Sequence, residues 1–233
     1  MDIVGFGGEL WSQWSDHYPE LLRGYRTTIL ISLASFALAL LVGAIAAILR
    51  TSEFRPLRFL AGMYVELFRN TPLLVQLTFF FFGLPRLQLP FFGRPDWFLL
   101  SPLQAAMVGL TLYTGAYTAE ALRSGLLAID KGQTEAARSL GLGYIQTRVY
   151  VILPQALRVA LPLLTSTLSA LFRNTALVSV IGVTDLLQTA DNIQQNNFKT
   201  FELFTIAGIL YLTMTLPLAW ASTRLERRFA RAR

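Results

Sequence analysis

Two short groups of polar residues stand out in this 233-residue chain because they interrupt long apolar stretches. The pentapeptide Leu-Phe-Arg-Asn-Thr occurs twice, at 67–71 and at 171–175. A guanidinium binds a carboxylate through paired, charge-assisted hydrogen bonds, so Arg69 and Arg173 are suited to recognising an amino acid or another organic anion. Charged groups at membrane depth are costly and usually face a cavity or a partner. The candidate substrate-contacting residues are therefore Glu66, Arg69, Asn70, Thr71, Gln76, Thr165, Ser169, Arg173, Asn174 and Thr175.

A structural role explains the same residues without any substrate. Glu66 lies one helical turn before Arg69 and Asn70, a spacing at which side chains on one helix pair. Arg173 can extend its charged end to the outer surface while its aliphatic stem stays in the apolar region. For Arg69 we favour a structural pairing that also shapes the pathway, and for Arg173 both interpretations stay open.

Composition excludes several kinds of site. The chain has no cysteine, so no thiolate site can form, and its single histidine, His17, cannot build a histidine metal cluster. Charged residues make up 15% of the chain and hydrophobic residues 54%, with a mean hydropathy of +0.49. Soluble domains carry about 25% charged residues, so these values indicate a membrane protein. No Gly-x4-Gly-Lys-Ser/Thr phosphate-binding loop occurs, and an enzyme is the least supported class.

Five stretches can cross a bilayer, for which about 20 apolar residues are needed. The predicted fold class is an all-α integral membrane protein with one transmembrane domain covering residues 1–233. The first 20 residues are acidic where a signal peptide would be basic, so we expect an interfacial or extracytoplasmic helix there, with Trp11 and Trp14 at the headgroups. Glu120 and Asp185, near span ends, are expected at the membrane interface. The predicted spans cover residues of about 27–49, 59–84, 98–122, 156–178 and 203–223.

The distribution of basic residues predicts the orientation. With five spans, thirteen arginines and lysines fall in one set of loops and five in the other. Cytoplasmic loops carry the excess of basic residues. The N-terminus is therefore predicted outside, and the C-terminus and the 123–155 loop in the cytoplasm. The basic tail from Arg224 onward is then a topology anchor near anionic lipid rather than a nucleic-acid arm.

The 123–155 loop carries its own helix signals. Asp130 is a predicted N-cap with Gln133 as its capping-box partner, and Gly141 is a predicted helix stop. A second helix over about 144–152 should follow, and Pro154 suits the first turn of the next span. A solvated loop without a partner explains this pattern as well as a docking helix does. Alanines at 136 and 137, however, would let another protein approach closely.

The same residues resemble the EAA loop of bacterial ATP-binding-cassette importer permeases. That loop has Glu-Ala-Ala, three residues, Gly, nine residues, then Ile-x-Leu-Pro. This chain has Glu135-Ala136-Ala137, Gly141 and then Val151-Ile152-Leu153-Pro154, with Val in place of Ile. The stretches ELFRNTPLLVQL, YTAEALRSGL, VILPQALR and NTALVSVIGVTDLLQTA resemble the polar amino-acid branch of these permeases, from about residue 20 to the end. The resemblance implies a type I importer permease fold and six ATPase-coupling residues: Glu135, Ala136, Ala137, Leu140, Gly141 and Pro154.

The resemblance also implies partners. A separate ATPase dimer would bind ATP and magnesium, while this chain would hold no cofactor. An extracytoplasmic amino-acid-binding protein would deliver the substrate. Five helices are too few to enclose a polar pathway, so a second permease subunit is implied, either a copy of this chain or a similar one.

The intramembrane charges bear on the substrate. Two arginines against one glutamate favour glutamate, aspartate or glutamine over arginine, histidine or lysine. An ion-coupled secondary transporter is a weaker alternative because few intramembrane carboxylates are present. A non-transporting scaffold would leave the EAA spacing unexplained.

Overall fold

A computed structural model describes residues 3–86 and 100–230, and every regular element in those ranges is helical. The all-α prediction is confirmed for this part of the chain. Short π-helical or 3₁₀ segments extend several helices, at Phe79–Gly83, Leu84–Arg86, Thr147–Ile152 and Thr175–Ile181. The α-helices are α1 (Ile3–Arg50), α2 (Arg55–Asn70), α3 (Leu73–Thr78), α4 (Pro102–Leu127), α5 (Lys131–Ser139), α6 (Tyr144–Gln146), α7 (Leu153–Asn174), α8 (Leu186–Asn197) and α9 (Thr200–Ala230).

Three helical runs of the described residues are long and apolar enough to span a membrane: Phe6–Arg50, Tyr144–Ile181 and Thr200–Arg228. The pair Arg55–Asn70 and Leu73–Arg86 qualifies only as one interrupted span or re-entrant element. Helix α4 covers most of the predicted third span but is not among the qualifying helices, since threonines, tyrosines and Glu120 lower its hydropathy. The number of five spans therefore stays a prediction.

Helix α1 differs from the sequence prediction at its N-terminal end. No separate N-terminal helix forms, because α1 runs for 48 residues from Ile3 to Arg50 with Pro19 inside it. A proline removes only one backbone donor, and good helix formers from Glu20 to Arg23 follow it. The helix therefore begins well before residue 27, and the start of the span at that residue stays a prediction. Trp11 is exposed on this extension, as expected of a residue at the headgroups.

The predicted span over 59–84 is not one continuous helix, because Thr71 and Pro72 interrupt it. Pro72 has φ −59° and ψ 134°, an extended conformation. A proline disfavours the α conformation in the residue before it, which explains why α2 ends at Asn70. The carbonyl of Thr71, freed by the break, accepts a hydrogen bond of 3.0 Å from the Gln76 side chain.

The described residues form two compact units, the first drawn from 1–36, 71–111 and 170–216. A buried polar network holds this unit together. The Thr28 hydroxyl accepts a hydrogen bond from the backbone of Leu186 at 3.1 Å, and the Tyr211 hydroxyl donates to Asp185 at 2.9 Å. Such bonds satisfy polar groups that are fully removed from water.

The second unit is drawn from 37–70, 112–169 and 217–233. In it, α1 and α4 approach closely at Gly43, where an added Cβ would lie 1.9 Å from the Thr118 hydroxyl oxygen. That hydroxyl donates to the carbonyl of Ala39 at 2.8 Å. Small residues at helix crossings allow this close approach, and they are the usual means of packing helices in a membrane.

Candidate functional site

Helix α5 begins as the sequence predicts. Asp130 is its N-cap, with extended backbone and a carboxylate that accepts a 2.6 Å hydrogen bond from the backbone of Gly132. Gln133 does not complete a capping box. Its side-chain oxygen instead accepts from the amide of Gln155 on α7, at 3.3 Å. This contact ties α5 to the start of the following span.

The end of α5 is a glycine-stabilised turn. Gly141 has φ +84°, a left-handed conformation that L-residues other than glycine adopt with strain. The backbone of Gly141 donates to Arg138 at 2.9 Å and that of Leu142 donates to Ala137 at 3.2 Å. These two bonds form a Schellman motif, which satisfies carbonyls at the helix end. The predicted stop at Gly141 is confirmed.

The predicted coupling residues lie on different faces of α5. Ala137 is buried at 4% exposure, whereas Glu135 and Ala136 are exposed. Leu140 is 82% exposed, although it is a large aliphatic side chain. One face of α5 therefore packs against its own chain, and the other presents a carboxylate, a small residue and an apolar side chain to the surroundings.

The segment after α5 differs from the prediction of a second helix followed by a new one at Pro154. Tyr144 to Asn174 form a continuous helical run in which Thr147–Ile152 are π-helical. Pro154 cannot donate the backbone hydrogen bond that an α-helix requires, and a π-helical turn beside it shifts the bonding register. Pro154 therefore lies within a continuous helix, where it is exposed.

An ion-pair cluster that the sequence interpretation missed joins α1, α2 and α4. The Glu120 carboxylate lies 2.6 Å from Arg50 Nη1 and 3.8 Å from Arg69 Nη1, and it also pairs with Arg123. The Arg69 guanidinium additionally lies 5.4 Å from the ring centre of Tyr117, at cation–π distance. Three arginine side chains thus share one carboxylate.

This cluster bears on two expectations. Glu120 is a partly buried ion-pair partner, with 22% of its side chain exposed, and its expected position at the membrane interface stays a prediction. Arg69 pairs with Glu120 and not with Glu66, and its role in shaping the pathway stays a prediction. Glu66 instead accepts a 3.0 Å hydrogen bond from Asn70. The Glu120–Arg123 pair, three residues apart on one helix, was the only sequence signal for this cluster.

The remaining substrate candidates lie along α3 and α7. Gln76 and Ser169 are buried, and Gln76 bonds to the Thr71 carbonyl. Thr165 donates to the backbone of Leu161 at 2.9 Å. The second Leu-Phe-Arg-Asn-Thr copy ends a helix as the first does. Arg173 is exposed in the last turn of α7, Asn174 is its last residue, and the buried Thr175 donates to the carbonyl of Phe172 at 2.7 Å.

Asp185, which was expected at the membrane interface, is fully buried within the chain, with 0% exposure. It is the N-cap of α8 and accepts a 2.9 Å hydrogen bond from the backbone of Gln188. Burial raises the pKa of the Asp185 carboxyl, and the hydrogen bonds from Gln188 and Tyr211 oppose that shift. The residue holds helix ends together, which the sequence did not reveal because Tyr211 lies 26 positions away.

In residues 3–86 and 100–230, no group of three or more His, Asp or Glu side chains is placed to hold a metal ion. Two features of the described chain are therefore candidates for function. One is the exposed face of α5, and the other is the set of polar side chains on α2, α3 and α7.

Apolar helices of spanning length, joined by an exposed polar helix, define an integral membrane protein of the all-α class. Residues 39–231 match the sequence model of a family described as the binding-protein-dependent transport system inner membrane component. The chain belongs to this family.

Curated relatives extend over nearly the whole chain. A probable glutamine ABC transporter permease from Bacillus subtilis, GlnM, is 36% identical and covers 93% of this chain and 96% of its own. The arginine transport system permease ArtQ of the same organism is 35% identical, with coverage of 90% and 92%. The glutamate transport system permease GluC of Corynebacterium glutamicum is 38% identical, with coverage of 93% and 97%.

A solved structure supports the same assignment. A chain from the crystal structure of an amino acid ABC transporter with histidines superposes with a TM-score of 0.81 at 33% identity. The match covers 93% of this chain and 97% of that one. The protein is an amino-acid ABC transporter permease with the type I importer permease fold. It is a non-catalytic subunit, and the ATPase is a separate chain.

Proposed function

We propose that this chain forms the translocation pathway of an ATP-driven importer for a polar amino acid in the bacterial cytoplasmic membrane. As one permease domain with five spans, it has its N-terminus outside and its C-terminus in the cytoplasm. A second permease subunit completes the pathway, and a binding protein delivers substrate from outside. ATP and magnesium are bound by the ATPase partner.

The single observation that carries this proposal is the exposed face of α5. A carboxylate at Glu135 suits a basic residue of the ATPase, and Ala136 allows close approach. Leu140, exposed at 82%, would be removed from water in a partner groove. Burying a leucine side chain contributes about 1.5–3 kcal/mol, so Leu140 would add to the affinity of the docking surface.

The Glu120 cluster links three helices of the second unit, to which α5 also belongs. Arg50 ends α1, Arg69 lies in the last turn of α2, and Glu120 lies on α4. Ion pairs between three helices let them move together when α5 is displaced by the ATPase. Arg173 is exposed in the last turn of α7, from which its guanidinium can meet a substrate carboxylate.

Glutamate, aspartate or glutamine is the proposed substrate. An exposed guanidinium at Arg173, followed by the amide of Asn174, favours a carboxylate or amide over a second cation. Basic amino acids are the second candidate, because the arginine permease ArtQ is similar over most of the chain.

Uptake by the reconstituted permease, ATPase and binding protein tests both points. We expect uptake of labelled glutamate or glutamine that requires ATP, is blocked by vanadate and does not respond to a proton or sodium gradient. If arginine competes for uptake but glutamate and glutamine do not, the substrate is a basic amino acid instead. Uptake driven by an ion gradient without ATP would refute the mechanism.

A further inference from the structure

A cavity of about 590 Å³ lies in the second unit, beside α5 and on the side away from its exposed face. Aliphatic side chains form much of its wall, from the ends of α1 and α4 and from the π-helical segment before α7. Ile48 and Leu127 are 65% and 66% exposed, and Val149 and Leu153 are 47% and 44% exposed. The cavity is therefore open to the surroundings and largely apolar.

Two arginines line the same cavity around one aromatic ring. The guanidinium of Arg148 lies 4.6 Å from the ring centre of Tyr144, and that of Arg138 lies 6.0 Å from it. No carboxylate among the described residues forms a salt bridge with either arginine. Within residues 3–86 and 100–230, no acidic residue lines the cavity. The cavity thus combines two positive charges, which have no acidic partner among these residues, with an apolar surface.

The two faces of α5 are separate. Arg138 and Thr134, one helical turn apart, line the cavity, whereas Glu135, Ala136 and Leu140 do not. A ligand in the cavity would leave the exposed face of α5 available to the ATPase. The same helix could then respond to both.

We propose that this cavity binds an anionic phospholipid, whose phosphate contacts Arg138 and Arg148 and whose acyl chain lies along the aliphatic wall. The inference rests on the proposed function, because it needs α5 at the cytoplasmic surface of the membrane. Basic pockets at helix ends on that side attract anionic headgroups. A free phosphate would satisfy the arginines but would leave the exposed aliphatic side chains in water, which is why we assign the site to a lipid.

Native mass spectrometry of the purified permease–ATPase complex in detergent tests the proposal. Phosphatidylglycerol and phosphatidylcholine with the same acyl chains are titrated separately. We expect phosphatidylglycerol to be retained preferentially. An arginine at an anionic lipid surface strengthens binding about fivefold, so Arg138→Gln with Arg148→Gln should weaken retention by about 30-fold. The matched control, Arg55→Gln with Arg58→Gln, removes the same charge from exposed positions outside the cavity and should change retention less than twofold.

Three results would overturn the proposal. Equal retention of the two lipids, or equal effects of the two double substitutions, would show that the cavity does not select an anionic lipid. Displacement of phosphatidylglycerol by millimolar glycerol 3-phosphate would identify a free-phosphate site. Binding to the isolated permease that is lost in the complex would show that a protein segment fills the cavity. ATP-dependent uptake by the same preparation separates these results from a failure of the proposed function.

Discussion

Substitution of Gly141 by aspartate should uncouple this permease from its ATPase without unfolding it. Gly141 has φ +84°, and a Cβ added there would meet no atom within 4 Å. The internal cost is therefore backbone strain alone, about 1–2 kcal/mol for an L-residue in the left-handed region. The protein should stay in the membrane at a level close to the wild type.

The loss should arise at the partner surface. An aspartate next to Leu140 adds a charge where a groove must close around an apolar side chain. If Leu140 is no longer buried, about 1.5–3 kcal/mol of binding free energy is lost, a roughly 10- to 150-fold weaker association. We expect the ATPase to fail to co-purify with the variant, and ATP-dependent uptake to be abolished.

Gly182 provides a matched control. It has φ +83°, also with no atom within 4 Å of an added Cβ, but it lies outside α5 and its flanking turn. Gly182→Asp introduces the same strain and the same charge, and should still retain the ATPase. Two results would refute a contact between this turn and the ATPase. One is normal ATPase binding and transport by Gly141→Asp, and the other is an equal loss of ATPase binding by Gly182→Asp.

Three further predictions address helix packing, the Glu120 cluster and the pathway. Gly43→Ala should destabilise the protein by about 1–3 kcal/mol, because the new methyl group would collide with Thr118. Gly62→Ala is the control, since it has open space around it and should not destabilise the protein; thermal unfolding in detergent compares the two variants. Glu120→Gln should cost on the order of 1–3 kcal/mol in the same assay, because it leaves three arginines without their shared carboxylate. Glu9→Gln, which removes the exposed ion pair with Lys199, should leave the unfolding temperature nearly unchanged. Arg173→Gln should raise the KM for a substrate bearing a carboxylate side chain about tenfold or more while ATPase binding stays normal, and an unchanged KM in uptake measurements would remove Arg173 from the pathway.

Local signals on α5 were sufficient to predict its ends. Asp130 and Gly141 act through backbone groups a few residues away, so their roles follow from residue type and spacing. The apolar stretches likewise predict the helical class, because length and hydropathy are local properties. Residue type alone does not decide what a proline does in this chain, because Pro19 lies inside a continuous helix whereas Pro72 lies at a break.

The Glu120 cluster and the Asp185 network lay beyond sequence reasoning for a different reason. Arg50 and Glu120 are 70 residues apart, and Thr28 and Leu186 are 158 apart. Which charged side chains meet depends on how the helices pack, and no local pattern specifies that. From the sequence alone, Glu120 and Asp185 were therefore expected at the membrane interface, because isolated charges near the ends of spans usually lie there.

The most direct test of ATPase docking on α5 is the accessibility of Leu140. If α5 docks there, this side chain is cytoplasmic and covered by the ATPase. The chain contains no cysteine, so Leu140→Cys introduces a single reactive thiol into the permease. A membrane-impermeant maleimide should label this thiol only from the cytoplasmic side of oriented vesicles, and the assembled ATPase should protect it. Labelling from the outside, or equal labelling with and without the ATPase, would contradict docking of α5 on a cytoplasmic ATPase.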